Sequence, residues 1–364
     1  MNVLVMGGTQ FNGLALVHEL VRAGHDVTVC NRGRSEADLP DGVRRLVADR
    51  TDHDELRNVL GGRDWDCVQD ITAYHPPDVE SIMGIVEGHV GHYIFASSTV
   101  IYAAKTDLPI TESDPVERGS DQNEYGLHKI LCEDLLLEAH AARGFPATIV
   151  PFSMVFGPNN TLRDREQRMF VRLLRGRPVL MPGDGSTLLQ VGHVDDQARA
   201  LEAMMGQDVT FGKRYNLTGA GGVTRNDYVS TLAATVGVSP DVTTIPDATM
   251  EALWTGELEV GDAGANIGMD IRSSTKAAQS PRAQMLMRRF QIAQLVQHLA
   301  PNIHWWNQST VFSIDRLRND VGWEPQYDLA SMASQTYEWF CAAGLDETAE
   351  YDWSLEDQIL AHIE

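Results

Sequence analysis

Tyr125 and Lys129 stand four residues apart in the stretch EYGLHK, inside a helical pattern that runs from 125 to 142. On a helix that spacing puts both side chains on one face. A free phenol titrates at about 10, so it trades protons at neutral pH only beside a cation, and an ammonium one turn away supplies that cation. With nine tyrosines and four lysines in 364 residues, chance produces about 0.1 such pairs. The alternative is an exposed helix pair with no chemistry. A second constellation lies at the start of the chain, where Val3–Gly13 reads VLVMGGTQFNG. An apolar run, a glycine turn and a helical pattern leave backbone N–H groups at a positive helix end, where a dinucleotide pyrophosphate fits. Glycine turns between strand and helix also occur for packing alone. Ser97 and Ser98 close the apolar run Tyr93-Ile-Phe-Ala96.

These residues must be positioned by a sheet. Strand patterns at Val3–Met6, Asp26–Cys30, Val43–Ala48, Asp66–Ile71, His92–Ala96 and Ala147–Pro151 alternate with helical ones at Leu14–Ala23, Asp54–Leu60 and Tyr125–Ala142. That interval predicts a parallel sheet with right-handed crossovers. Further on, Arg165–Arg175, Val194–Met205, Thr224–Val236, Gln284–Leu299 and Asp328–Phe340 read as helices, with Thr224 and Asp227 spaced as a capping pair. Arg214–Leu217 reads as one more strand, and Gly256–Ala278 gives no clear pattern.

Bulk properties narrow the function classes. Net charge is −22, which disfavours nonspecific nucleic-acid binding. Only Lys105, Lys129, Lys213 and Lys276 are lysines among 29 basic side chains. The four cysteines lack metal spacing and no metal is expected; Cys30 and Cys67 read as buried reduced thiols. No apolar run reaches membrane-spanning length and no leader pattern opens the chain, so a cytoplasmic location is the default expectation.

The glycine turn, the Ser-Ser pair and the Tyr-x-x-x-Lys pair together resemble the extended short-chain dehydrogenase/reductase family, whose members include NAD(P)-dependent sugar epimerases and dehydratases. Val155-Phe-Gly-Pro158, Gly183-Asp-Gly185, His193-Val-Asp-Asp196 and Gly322-Trp-Glu-Pro325 extend the resemblance to about residues 1–340. It implies a doubly wound parallel Rossmann sheet with a smaller C-terminal α/β substrate domain. The expected core is 1–157, with 187–220 returning to it. The smaller domain is 158–186 with 221–345, and 346–364 is a tail.

The resemblance also implies roles. Tyr125 is the acid/base, Lys129 bonds the nicotinamide ribose and lowers the tyrosine pKa, and Ser98 holds the substrate oxygen, with Ser97 and Thr99 as neighbours able to take its place. Gly7, Thr9, Gln10, Phe11, Gly13, Asn31, Arg32, Asp49 and Lys129 form the expected cofactor set. Asp49 resembles the aspartate that reaches the adenine amino group; it also reads as a loop acid. The second strand ends in Asn31, Arg32 and Arg34, with no carboxylate to repel a 2′-phosphate. This favours NADP over NAD, unless both arginines are merely solvated.

Three departures stand out. Gln10 replaces the middle glycine of the turn, as in an atypical branch that includes the chloroplast stem-loop-binding proteins. Leu189 stands where nucleotide-sugar enzymes carry a phosphate-gripping arginine, and Met154 where they carry an asparagine. Arg163, Arg165 and Arg168 are candidates to replace that arginine, or form a solvated helix face. Trp305 and Trp306 read equally as a stacking wall for a sugar or as core. The expected activity is oxidation or reduction at a hydroxyl-bearing carbon of a sugar-like substrate, as epimerase, dehydratase or reductase in a homodimer. The alternative is a nucleotide-sensing or RNA-binding protein of the stem-loop-binding branch.

Overall fold

In the computed structural model, residues 1–255, 257–258 and 306–363 are described. Six parallel strands form the frame: β1 (Asn2–Met6), β2 (Asp26–Asn31), β3 (Arg44–Val47), β4 (Cys67–Asp70), β5 (Tyr93–Ser98) and β6 (Ala147–Phe152). Their order is β6-β5-β4-β1-β2-β3, and Lys213–Arg214 adds a seventh strand beside β6. The order reverses between β1 and β4, the switch point at which open α/β sheets bind ligands. Helices α1 (Phe11–Arg22), α2 (His53–Leu60), α3 (Pro76–Val86) and α4 (Glu124–Arg143) are the crossovers.

Both faces of the sheet are covered, which explains the unbroken apolar runs. Strand alternation divides the core in two. Val3, Val5, Val27 and Val29 pack with Leu16 and Leu20 of α1 and with Leu201 of the helix Val194–Met204. Leu4, Met6, Val68 and Phe95 pack with Leu56, Ile82 and Leu136 of α2, α3 and α4. Each such buried aliphatic side chain contributes about 1.5–3 kcal/mol.

The chain divides into two compact units. The first holds 1–161, 190–222 and 311–336; the second holds 162–189, the described part of 223–310, and 337–364. Two expectations change here. Residues 311–336, assigned from sequence to the smaller domain, lie in the first unit: Asp196 accepts from the backbone N–H groups of Gln326 and Tyr327 at 2.8 and 3.0 Å, and Tyr327 stacks on His193. The segment expected as a tail, 346–364, is built into the fold through residue 363. Helix Ser354–Ile363 buries Ile359 and Glu356 in the second unit, which also contains Glu166–Leu174 and a parallel pair, Val179–Pro182 with Val242–Ile245. The Thr224–Asp227 capping pair opens helix Arg225–Val236 as a reciprocal box. The expected helix Gln284–Leu299 lies outside the described residues.

Candidate active site

Gly7 and Gly8 have φ of 110° and 86°, in the region that favours glycine. A Cβ on Gly13 would come within 2.7 Å of the Gly8 nitrogen, so α1 sits too close to the turn for any side chain there. Gln10 needs no glycine: its φ and ψ are −144° and 145°, ordinary extended backbone, and the positive φ falls on Phe11 at 37° instead. Gln10 is exposed and its side chain does not cap α1. In contrast, Asp52, Asn123 and Thr224 each accept from a first-turn N–H of the helix they precede. The positive end of α1 therefore stays open, and the residues present fit a dinucleotide pyrophosphate.

At the end of β2, Asn31 is an organiser. Its Nδ2 donates to the Gly7 carbonyl at 3.3 Å, and its Oδ1 accepts from the Gly33 N–H and from Arg45. Sequence reasoning missed Arg45; its place beside Arg44 on an exposed strand, one strand over from Asn31, was the available signal. Arg32 and Arg34 are exposed. Asp49 is held below the usual carboxylate range first by bonds from the Thr51 N–H and hydroxyl, then by Arg32 and Arg34.

At the other end of the site, Lys129 is 2% exposed. Its Nζ donates to the carbonyls of Ala73 and Ala96, both at 2.7 Å. The rings of Tyr74, Phe95 and Tyr125 surround it at 5.1, 4.8 and 5.8 Å. Burial pushes the ammonium down to about 8. Tyr125, from the first turn of α4, is 43% exposed beside this cage. Ser98 ends β5, and its hydroxyl accepts from the Val100 N–H at 3.4 Å. Lys129, with the Tyr125 ring beside it, thus bonds the Ala96 carbonyl, two residues before Ser98 at the end of β5.

Other expected residues are placed differently. Ser97 points from β5 towards α4, away from the side taken by Ser98, and its hydroxyl donates to Glu133, itself paired with Arg214. Thr99 is fully buried and donates to the Phe152 carbonyl, which ties the loop after β5 to β6. Trp306 packs as core with Leu180, Ile245, Met250, Leu253 and Ile359, not as a stacking wall. Trp305 lies outside the described residues. Arg168 is no solvated face and no free phosphate grip, because it is buried against Glu356 and the Asp352 carbonyl. Arg163 is an exposed residue of the second unit.

Comparison with known proteins follows the same lines. The chain is 31% identical over 230 residues to the chloroplast stem-loop binding protein of 41 kDa b of Arabidopsis thaliana, covering 60% of this chain and 58% of that one. It is 28% identical over 211 residues to 2′-dehydrokanamycin reductase of Streptomyces kanamyceticus, covering 57% and 59%. The chain thus spans less than two thirds of the length of these relatives. In fold it is similar to UDP-glucose 4-epimerase of Thermotoga maritima solved with UDP-glucose, with a TM-score of 0.69, 18% identity, and coverage of 94% of this chain and 99% of that one. The model of the NAD dependent epimerase/dehydratase family matches residues 3–83 and 82–218, more than half of the sequence. The chain belongs to the NAD dependent epimerase/dehydratase family.

Proposed function

We propose that the protein is an NAD(P)-dependent enzyme that oxidises or reduces a hydroxyl-bearing carbon of a sugar or sugar-like substrate, as epimerase, dehydratase or reductase. The observation that carries this reading is Lys129: a desolvated ammonium, held by two carbonyls and, among the described residues, by no carboxylate, beside the ring of Tyr125. Tyr125 exchanges a proton with the substrate oxygen, the Ser98 hydroxyl steadies that oxygen, and Lys129 stabilises the phenolate. An ammonium has three donors and two are used, so one remains for a ribose hydroxyl. The nicotinamide, when bound, supplies the hydride acceptor or donor.

Tyr125→Phe tests the assignment. Turnover on a substrate found by screening sugars with each cofactor should vanish while cofactor affinity stays. A Tyr125→Phe variant with near wild-type turnover removes the assignment. Arg32 is proposed to grip a 2′-phosphate, a charge-assisted contact of about 1.5–3 kcal/mol. Titration should show NADP bound more tightly than NAD, and Arg32→Ala should erase the difference; equal wild-type affinities would end this idea. The reading includes a homodimer. Leu127 and Leu131, one turn apart on α4, are 37% and 39% exposed and suit such a contact; light scattering of the purified protein measures it.

A second reading, an RNA-binding protein without turnover, is favoured by the name of the 31% identical relative. The net charge of −22 opposes it. Salt-dependent RNA binding together with no turnover on any sugar would support it.

A further inference from the structure

Behind Lys129 lies a buried network that the proposed chemistry does not use. Arg50 forks onto Asp70, with Nη1 to Oδ1 and Nη2 to Oδ2 both at 3.0 Å. Its Nη1 also donates to the Thr72 hydroxyl at 2.8 Å, its Nη2 to the Asp78 carbonyl at 3.1 Å, and its Nε lies 3.4 Å from Asp78 Oδ1. Asp70 accepts in addition from the Tyr93 hydroxyl at 2.7 Å and the Thr72 N–H at 3.2 Å. Asp78 accepts from the N–H groups of Tyr74 and His75. The Thr72 hydroxyl donates to Met6 at the tip of β1. Residues 70 to 78 are therefore pinned from both sides by one guanidinium and its two carboxylates. The segment they pin carries Ala73, whose carbonyl holds the Lys129 ammonium, and Tyr74, whose ring covers it.

We propose that Arg50 is a positioning residue for Lys129: with Asp70 and Asp78 it clamps the loop that supplies the lysine's carbonyl and aromatic cradle, and the Arg50–Asp70 pair balances the charge beside it. Arg50 touches neither Lys129 nor the expected place of substrate. It acts through Ala73 and Tyr74. Burial is the main cause of the lowered Lys129 titration, with Arg50 lowering it further and Asp70 raising it. The other titratable groups facing the lysine are Cys132 and Glu133 on its own helix and the phenols of Tyr74 and Tyr125. The catalytic meaning of this clamp rests on the function proposed above; the clamp itself does not.

The chain holds four lysines, so the holoprotein labelled with ¹³C-lysine shows four Cε resonances, and Lys129→Arg identifies the relevant one. Followed against pH, Lys129 should titrate higher in Arg50→Met, where Asp70 stays uncompensated, and lower in Asp70→Asn, where Arg50 stays uncompensated. Each shift should be about half a pH unit or more. The double variant should return towards wild type. Opposite directions are the signature, since general loosening would move both variants the same way. Shifts of one direction, or none, would overturn the proposal. If Arg50→Met does not fold, Asp70→Asn decides alone, and an unmoved or rising titration refutes the clamp. Arg50→Lys keeps the charge and loses the fork. It should leave the titration near wild type while lowering kcat several-fold at unchanged substrate KM; full turnover in Arg50→Lys would deny any role through geometry. Intact titration shifts with an inactive wild type would instead refute the proposed function and spare the clamp.

Discussion

Two buried cation sites, one in each unit, are built in opposite ways. In the second unit, Arg168 and Arg172 share the carboxylate of Glu356 at 3.0 and 2.5 Å, with the ring of Trp353 laid against both guanidiniums. In the first unit, the contacts of Lys129 among the described residues are carbonyl dipoles and ring faces. A carboxylate neutralises its partner and fixes it for good. Dipoles hold an ammonium but do not neutralise it, so the proton stays exchangeable near neutral pH. The first arrangement builds structure, and the second leaves a charge available for chemistry. Arginine would not take the Lys129 role unchanged, because a point ammonium bonds two separate carbonyls where arginine presents a planar fork.

The largest effect should come from breaking the poised cation. Lys129→Met should lower turnover by about 10²–10⁴-fold. It should keep or raise stability, because it removes a desolvated charge. The sign follows from the titration lowered from 10.5 to about 8: the unfolded chain binds the extra proton between those values, so wild-type stability rises with pH across that window. Turnover and urea unfolding of one preparation measure both effects, and a variant that is both active and destabilised would contradict the contrast.

The converse break is Glu356→Gln, which leaves two buried guanidiniums without their carboxylate. A loss of about 3–5 kcal/mol in the unfolding of that unit is expected. Denaturant curves followed by tryptophan fluorescence would measure it; a loss under 1 kcal/mol would mean that the arginines are held by the Trp353 face and the carbonyls alone.

A smaller effect sharpens the comparison with a third buried base. His92 is fully buried, with Nε2 2.8 Å from the Thr148 hydroxyl and Nδ1 accepting from the Gly206 N–H. Burial pushes it down to about 3. The unfolded histidine takes a proton below about 6.5 and the folded one does not. Stability present above that pH is therefore lost as pH falls from 6.5 towards 3, by about 1.4 kcal/mol per pH unit. His92→Gln should flatten the fall in stability between pH 7 and 5. An unchanged slope would assign acid sensitivity elsewhere.

How much of this was legible in the sequence depended on the range of the interaction. The Thr224–Asp227 box and the shared face of Tyr125 and Lys129 follow from spacing alone, and strand–helix alternation gave the parallel sheet. Strand alternation also separates Ser97 from Ser98, since neighbours on β5 face opposite sides of the sheet, and Glu133 claims the first. Nothing local announced the Arg50 clamp, whose partners lie 20 to 28 residues away on another strand and helix. Nor did adjacency reveal that Trp306 is core, or that Glu356, in a segment that reads as a tail, neutralises two arginines. Those contacts are made by topology, which periodicity does not encode.

The backbone at Gln10 has one more consequence. Because positive φ is carried by Gly7, Gly8 and Phe11, position 10 imposes no conformational demand, and its exposed side chain caps nothing. Substitutions there are largely uncoupled from folding. A lineage can therefore vary this position without cost to the fold, and a search pattern that insists on a glycine string will overlook chains that preserve the shape of the turn while varying its spelling.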